Sequence, residues 1–323
     1  MKEESVRPSE LMQKNAILEA QDAQDLLTCQ PFVEVACPSC GAQGEHIFSK
    51  LGYHFLECGC KMIFVNPRPT GKQLYDYYAS ARHVAHWANE IMPIVENERR
   101  RSIFLPRVNK VLDLINVYDL RHDCIWDIGA GTGIFCEELI KTRVFREVRA
   151  VEMSPDSVRK CRMKDVPVIE SPLEGVKYSN CVNILTAFEV IEHVFDPQIF
   201  LKTCHHLLDE SGVLIMSTPN VQGFDMSILM EDSPNICAPA HLNYFCPDSI
   251  KRLLRACNFT VIDLCTPGQL DVDIVRNATP EHLDRFVKVL LFDRWSKEWG
   301  EILQEFLSNN LLSSHMLVVA RKS

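Results

Sequence analysis

The sequence predicts an α/β protein: a mostly parallel sheet with helices on both faces, preceded by a small cysteine-rich module. Three observations carry this. Cys124-Ile125-Trp126 feeds Asp127, then glycines at 129, 131 and 133, then Ile134-Phe135-Cys136-Glu137-Glu138-Leu139-Ile140 at helical spacing. That is strand, tight turn and helix, with glycine where a backbone must turn sharply or be approached closely. Further apolar runs alternate with helical patterns as far as Ser217, and strands that are apolar throughout belong to a sheet covered on both faces. Cys37-Pro38-Ser39-Cys40 and Cys58-Gly59-Cys60 place two thiol pairs 17 residues apart, ahead of all this.

The elements follow in order. A second strand, Val148–Met153, ends near Glu152, and Ser154-Pro155-Asp156 starts a helix with Ser as cap and Pro in the first turn. A third short strand, Val166–Ile169, leads to Glu170-Ser171-Pro172. The fourth, Cys181–Ala187, runs into Phe188-Glu189-Val190-Ile191-Glu192-His193, and a helix follows over 198–208. The fifth spans Gly212–Ser217. A helix over 247–256, a strand over 258–264 and a last strand over 315–320 complete the pattern, with a largely helical insertion at 267–312 that suits a lid or substrate wall. Ligands of such sheets bind at the carboxyl ends of the strands. Asp127, Glu152, Glu170 and Glu189 all fall there.

The glycine turn narrows the ligand. A dinucleotide fingerprint needs a third glycine at 134 or 136, where Ile134 and Cys136 stand, and no Gly-Lys-Ser/Thr follows as in a phosphate-binding loop. Asp127-Ile128-Gly129-Ala130-Gly131-Thr132-Gly133 resembles motif I of the class I S-adenosylmethionine (SAM) methyltransferases. The resemblance implies a Rossmann-like, seven-stranded sheet whose last strand is antiparallel. It puts Asp127, Gly129, Ala130, Gly131 and Gly133 beneath the methionine part of SAM, and Glu152 with Met153 at the ribose. Glu170 and Ser171 would lie beside the adenine, with Phe188 and Glu189 closing the site. The stretch His241-Leu242-Asn243-Tyr244-Phe245 also resembles one that many of these enzymes carry after the fifth strand.

The cysteine pairs, Cys37 and Cys40 with Cys58 and Cys60, resemble a zinc ribbon, although the second pair is C-x-C rather than C-x-x-C. His46, His54 or Glu57 could replace one sulfur; free or redox-active thiols are the alternative. With Asn66-Pro67-Arg68-Pro69 and the tyrosines at 75, 77 and 78, the module resembles one found in a methyltransferase subgroup that includes deoxysugar and polysaccharide-pathway enzymes. The expected organisation is a helical leader at 1–30, a zinc-ribbon-like module at 31–72, a helical linker at 73–122 and a methyltransferase domain at 123–323.

The resemblance implies transfer of a methyl group to an oxygen or carbon of a small molecule, for example a sugar or polysaccharide precursor. His193 and His241 are the candidate bases, because histidine titrates near neutrality, with Glu189 beside them. Glu189, Glu192, His193 and His241 together also resemble the metal site of small-RNA 2′-O-methyltransferases and ubiquinone-pathway O-methyltransferases. A divalent ion there would lower the pKa of the acceptor oxygen. An RNA-end methyltransferase and a non-enzymatic binding module are the other two readings. A net charge of −9 disfavours nucleic acid, and an intact glycine turn disfavours the binding module. No apolar run is long enough to span a membrane, and singly scattered cysteines suggest a reducing cytoplasm.

Overall fold

The turn after Cys124–Ile128 decides where the sheet opens. Gly129, Gly131 and Gly133 all adopt positive φ, at 68°, 54° and 76°. A chain of side-chain-bearing residues could not reverse here without strain. The protein, described from a computed structural model, comprises residues 3–278 and 283–323. Residues 279–282 of the predicted insertion, and 1–2 of the leader, lie outside the described residues.

Eleven strands are found among the described residues: β1 (Gly44–Lys50), β2 (Tyr53–Cys58), β3 (Ile63–Val65), β4 (Cys124–Ile128), β5 (Glu147–Glu152), β6 (Val168–Glu170), β7 (Val182–Phe188), β8 (Leu208–Pro219), β9 (Asn243–Tyr244), β10 (Phe259–Cys265) and β11 (His315–Lys322). Seven form one sheet in the order β10-β11-β8-β7-β4-β5-β6. The strands from β8 to β6 run parallel, whereas β11 is antiparallel to both of its neighbours. The expected Rossmann-like sheet, with its antiparallel last strand, is therefore present. β4 is buried at every residue and β7 at all but its last, which is why both read as unbroken apolar runs. Helices Ile134–Thr142 and Leu105–Tyr118 cover one face, and Pro197–Leu207 and Pro247–Ala256 the other, each facing its own apolar cluster.

A second sheet, β1-β2-β3-β9, belongs to the cysteine module. Its fourth strand comes from far along the chain: Ile63 pairs with Tyr244 and Phe64 with Asn243. Cys37, Cys58, Met62 and Phe64 share a core with Phe245, Ile250 and Leu254. The leader helix Ser9–Leu27 docks too, because Asp22 accepts from Arg82 Nε at 2.6 Å and lies 2.9 Å from His83 Nδ1. No helix among the described residues is long and apolar enough to cross a membrane.

Candidate active site

The crevice is built at the carboxyl ends of β4, β5 and β7. Gly131 donates its N–H to Glu152 Oε2 at 2.8 Å, while Glu152 Oε1 accepts from the amides of Met153 and Ser154, each at 2.8 Å. Three backbone donors thus fix the Glu152 carboxylate at the strand end. Burial raises its pKa and those amides pull it back. Lone pairs remain on both oxygens, as vicinal hydroxyls require. Asp127 is held by Thr186, whose hydroxyl donates to Oδ1 at 2.6 Å. Burial pushes the Asp127 carboxyl up to about 7.

The three glycines do different work. A Cβ on Gly129 would lie 2.7 Å from Val190 Cγ2, and one on Gly133 would lie 2.8 Å from Cys161 Sγ. A Cβ on Gly131 would meet nothing within 4 Å. Gly129 and Gly133 are therefore required by packing, whereas Gly131 keeps open the space in front of Glu152. That space and the carboxylate beside it fit a ribonucleoside.

On the far side, β6 ends at Glu170, whose carboxylate is exposed and takes Arg162 Nη2 at 2.7 Å. Ser171 donates its N–H to the Glu152 carbonyl at 3.1 Å and its hydroxyl to the Pro172 carbonyl at 2.8 Å. Phe188, at the end of β7, packs edge-on against Phe135 with centroids 5.1 Å apart. Glu189 has a left-handed backbone, with a φ of 57°. Ser217 donates to Glu189 Oε1 at 2.6 Å, and His315 Nδ1 lies 3.3 Å from the same oxygen.

The predicted four-residue metal grouping becomes three. The ligand atoms of Glu192, His193 and His241 all lie within 4.8 Å of one another. Glu189 does not join them, because its carboxylate is turned to Ser217 and His315. Glu192 is fully buried: Oε2 accepts from Thr218 at 3.0 Å, and Oε1 has no hydrogen-bond partner. His193 Nδ1 lies 2.7 Å from the Ala240 carbonyl and His241 Nδ1 2.8 Å from the Asn235 carbonyl. A carbonyl can only accept, so both rings carry their proton on Nδ1, and both Nε2 atoms are bare. Metal-bound histidines are anchored in this way. Two imidazoles and one carboxylate, beside an orphaned oxygen, fit a divalent ion with positions left open.

The same burial revises the acid–base expectation. It drives His193 down to about 3 and lowers His241 as well. His193 is therefore not a well-matched proton acceptor on its own, and His241 is shifted in the same direction. Neutral imidazoles, however, are what a metal ligand must be.

Several contributors come from elements that the sequence does not bring together. Tyr78 lies on the helix Gly71–Ser80, which starts from a reciprocal cap between Thr70 and Gln73. Its hydroxyl donates to the Ala240 carbonyl at 2.6 Å and lies 2.9 Å from His193 Nδ1. Arg68, of the Asn-Pro-Arg-Pro run, is fully buried and donates to the carbonyls of Val65 and Phe195 and to Asn243 Oδ1, each at 3.0 Å. Asn243 in turn donates to the Val194 carbonyl at 2.7 Å. This pair joins the loop of Glu192 and His193 to the loop of His241. His315 is the first residue of the last strand, β11, and its place beside Glu189 has no signal in the sequence.

The cysteine module holds a second cluster. Cys37, Cys40, Cys58 and Cys60 bring their sulfurs within 4.8 Å of one another. Cys37 and Cys60 are 3.6 Å apart and Cys40 and Cys58 3.3 Å; all are free thiols. Sulfurs held at about 2.3 Å from a tetrahedral ion sit roughly 3.8 Å apart, so the set fits zinc and not a disulfide. The C-x-C pair needs no substitute ligand. His46 and His54 instead share Ser49, at 2.9 and 2.7 Å, and Glu57 pairs with Lys61.

Residues 95–264, just over half of the chain, match a family model described as a methyltransferase domain. The chain belongs to this family. Among curated relatives of this methyltransferase-family protein, a ubiquinone biosynthesis O-methyltransferase of Bradyrhizobium diazoefficiens is 31% identical over 102 residues, covering 30% of this chain and 40% of the relative. A probable S-adenosylmethionine-dependent methyltransferase of Mycobacterium tuberculosis is 28% identical over 170 residues, covering 48% of this chain and 60% of the relative. The chain thus spans only 40% to 60% of the length of these relatives. In a solved complex of the Haloferax volcanii Trm112 methyltransferase activator with a methyltransferase, one chain shares the fold, with a TM-score of 0.50 and 12% identity over 74% of this chain and 96% of that one.

Proposed function

We propose that this protein is a SAM-dependent O-methyltransferase that acts on a hydroxyl of a small molecule, with a divalent ion held by Glu192, His193 and His241. SAM, when bound, supplies a methyl group on a sulfonium that leaves as a neutral thioether. The ion, when bound, lowers the pKa of an acceptor hydroxyl. The observation that carries this reading is the grouping of Glu192, His193 and His241, whose ligand atoms lie within 4.8 Å of one another, with Glu192 Oε1 buried and unpartnered.

The residues then have separable tasks. Glu152 accepts from the ribose hydroxyls, and Gly131 leaves room for them. Asp127 and Thr186 hold the turn in place. Phe188 and Phe135 shield the methyl-transfer path from water. Tyr78 and the Ala240 carbonyl keep the His193 proton on Nδ1, so that Nε2 faces inward. Arg68 and Asn243 keep the two histidine loops in register. The acidic net charge favours a small acceptor over RNA, and the four thiolates of the N-terminal module support a structural zinc ion.

The test is a metal titration with Glu192→Gln. The wild type should bind one catalytic equivalent of Mn2+ or Zn2+ beyond the cysteine-bound ion, and Glu192→Gln should lose that equivalent while still binding S-adenosylhomocysteine. Metal binding by the variant equal to that of the wild type would refute the ligand set. Absence of nucleoside binding by the wild type would refute the methyltransferase reading itself.

A further inference from the structure

One edge of the large sheet gathers the ends of β7 and β8 and the start of β11. β11 runs antiparallel to β8, so its first residue, His315, pairs with Pro219 at the carboxyl end of β8. Phe188, the last residue of β7, pairs with Ser217, and Glu189 donates its N–H to the Ser217 carbonyl at 3.0 Å. The His315 ring is thereby set against the Glu189 carboxylate, with Nδ1 3.3 Å from Oε1. The chain just before the ring is pinned from two sides. Ser314 donates its N–H to Asp271 Oδ1 at 2.5 Å, and its carbonyl accepts from the Asn220 N–H at 2.9 Å. The His315 side chain is 35% exposed and that of Glu189 36%, so a small molecule at the carboxyl end of β7 can reach both.

The pair is electrostatically matched. Burial raises the Glu189 carboxyl, but His315, Arg107, the Ser217 hydroxyl and His241 together hold it below the ordinary carboxylate value. It is an anion at neutral pH and can only accept, which keeps the His315 proton on Nδ1 and leaves Nε2 with its lone pair. Burial lowers His315; Arg107 of the helix Leu105–Tyr118 and Arg7 of the leader add to this, while Glu189 and Asp271 of the helix Asp271–Ala278 oppose it. The ring is thus neutral at neutral pH, with a carboxylate placed to stabilise the imidazolium that forms when it takes a proton. A carboxylate against Nδ1 orients a histidine base in this way. His193 and His241 lack it: their Nδ1 atoms rest on uncharged carbonyls, and their Nε2 atoms serve the proposed ion.

We infer that His315 is the general base of the reaction and that Glu189 is its positioning residue. The inference rests on the methyltransferase reading, in which an ion lowers the pKa of the acceptor hydroxyl and the destination of its proton is left open. The proton passes from the acceptor hydroxyl to His315 Nε2. The electron pair left on oxygen forms the bond to the methyl carbon, and the pair of the broken carbon–sulfur bond stays on sulfur. Glu189 holds the imidazolium until water takes the proton away. The acceptor class follows: a hydroxyl that still carries its proton at neutral pH.

Two measurements on the full chain test this. In nitrogen-15 NMR of histidine-labelled protein, assigned with His315→Gln, the His315 ring should carry its proton on Nδ1 and leave Nε2 bare. Glu189→Gln should move the titration midpoint of that ring further down, by about one pH unit or more. A proton on Nε2, or a midpoint that Glu189→Gln leaves in place, overturns the inference. The second measurement follows methyl transfer from SAM at pH 8 to phenol, which is protonated there, and to 4-nitrophenol, which is largely ionised. His315→Gln should lower transfer to phenol by about 100-fold, and by at least about tenfold more than transfer to 4-nitrophenol. Equal losses on the two phenols mean a structural role and overturn the inference. If neither phenol is methylated, the ring spectra decide alone. S-adenosylhomocysteine added to the same samples keeps the parent reading separate. No resonance shift on its addition sinks the methyltransferase reading, whereas the proton position and the midpoint decide the His315 pair.

Discussion

Gly131→Ala should separate ligand binding from folding. The added Cβ meets no protein atom within 4 Å, so it causes no clash in the free protein. Its cost is the left-handed backbone, φ 54°, about 1–2 kcal/mol for a residue with a side chain. For a protein of this size the melting temperature should fall by about 2–4 °C. In the bound state the same Cβ occupies the ligand's space, so S-adenosylhomocysteine should weaken by about 100-fold, or roughly 2.7 kcal/mol. At a ligand concentration of about 100 times the wild-type Kd, ligand stabilises the wild type by about 2.7 kcal/mol and the variant by only ~0.4 kcal/mol. Thermal melts with and without ligand read both numbers. Gly133→Ala is the contrast. Its Cβ would press on Cys161, 2.8 Å from Sγ and 3.3 Å from Cα, and overpacking of this kind adds about 1–3 kcal/mol to the backbone strain. Its melting temperature should fall well below that of Gly131→Ala. A Gly131→Ala protein that binds S-adenosylhomocysteine within threefold of wild type, or that melts as low as Gly133→Ala, would refute the assignment of the open space.

Two further predictions concern other parts of the molecule. Purified protein should carry one zinc per chain at the cysteine cluster, and Cys40→Ser should lose it. Because Cys37 and Cys58 lie in the core shared with Phe245 and Leu254, the whole domain should melt several degrees lower. Elemental analysis with a paired melt checks both, and full zinc retention by the variant contradicts the ligand set. Asp225 is fully buried, with neither carboxyl oxygen satisfied among the described residues. Burial and then the charge of Asp271 push it up to about 7. Its unfolded value is 3.8, so the native state holds the extra proton, and wild-type stability should fall as pH rises from about 4 through 7 and then level off. Asp225→Asn should flatten that slope and be the more stable protein at pH 8, by on the order of a few kcal/mol at most. Denaturant melts from pH 5 to 8 that are parallel for the two proteins would contradict this.

The fold was legible because its signals are local. β4, β7 and the 213–216 stretch of β8 announce themselves as apolar runs, and the positive-φ glycines mark where the sheet turns to its first helix. β9 was not legible as a strand of the cysteine module, because a two-residue pairing between positions 63–64 and 243–244 leaves no periodicity to read. The candidate site divides in the same way. Asp127, the glycines and Glu152 sit at strand ends and the Glu192-His193 pair lies just past one, where a resemblance to methyltransferase motifs marks them. Tyr78 and His315 arrive from a helix and a strand far apart in the chain, and nothing in their neighbours' spacing marks them as neighbours in space. The acid–base expectation for His193 needed its environment: a free imidazole titrates near neutrality, but this ring is enclosed, and burial, with His241 beside it, pushes its pKa down to about 3.

The most direct measurement is a crystal structure of the protein grown with S-adenosylhomocysteine. The account predicts the nucleoside in the crevice, with both ribose hydroxyls within hydrogen-bonding distance of the Glu152 carboxylate and the chain of the ligand passing over Gly131. A nucleoside bound elsewhere, or a crevice occupied while Glu152 still contacts only the amides of Gly131, Met153 and Ser154, would contradict it.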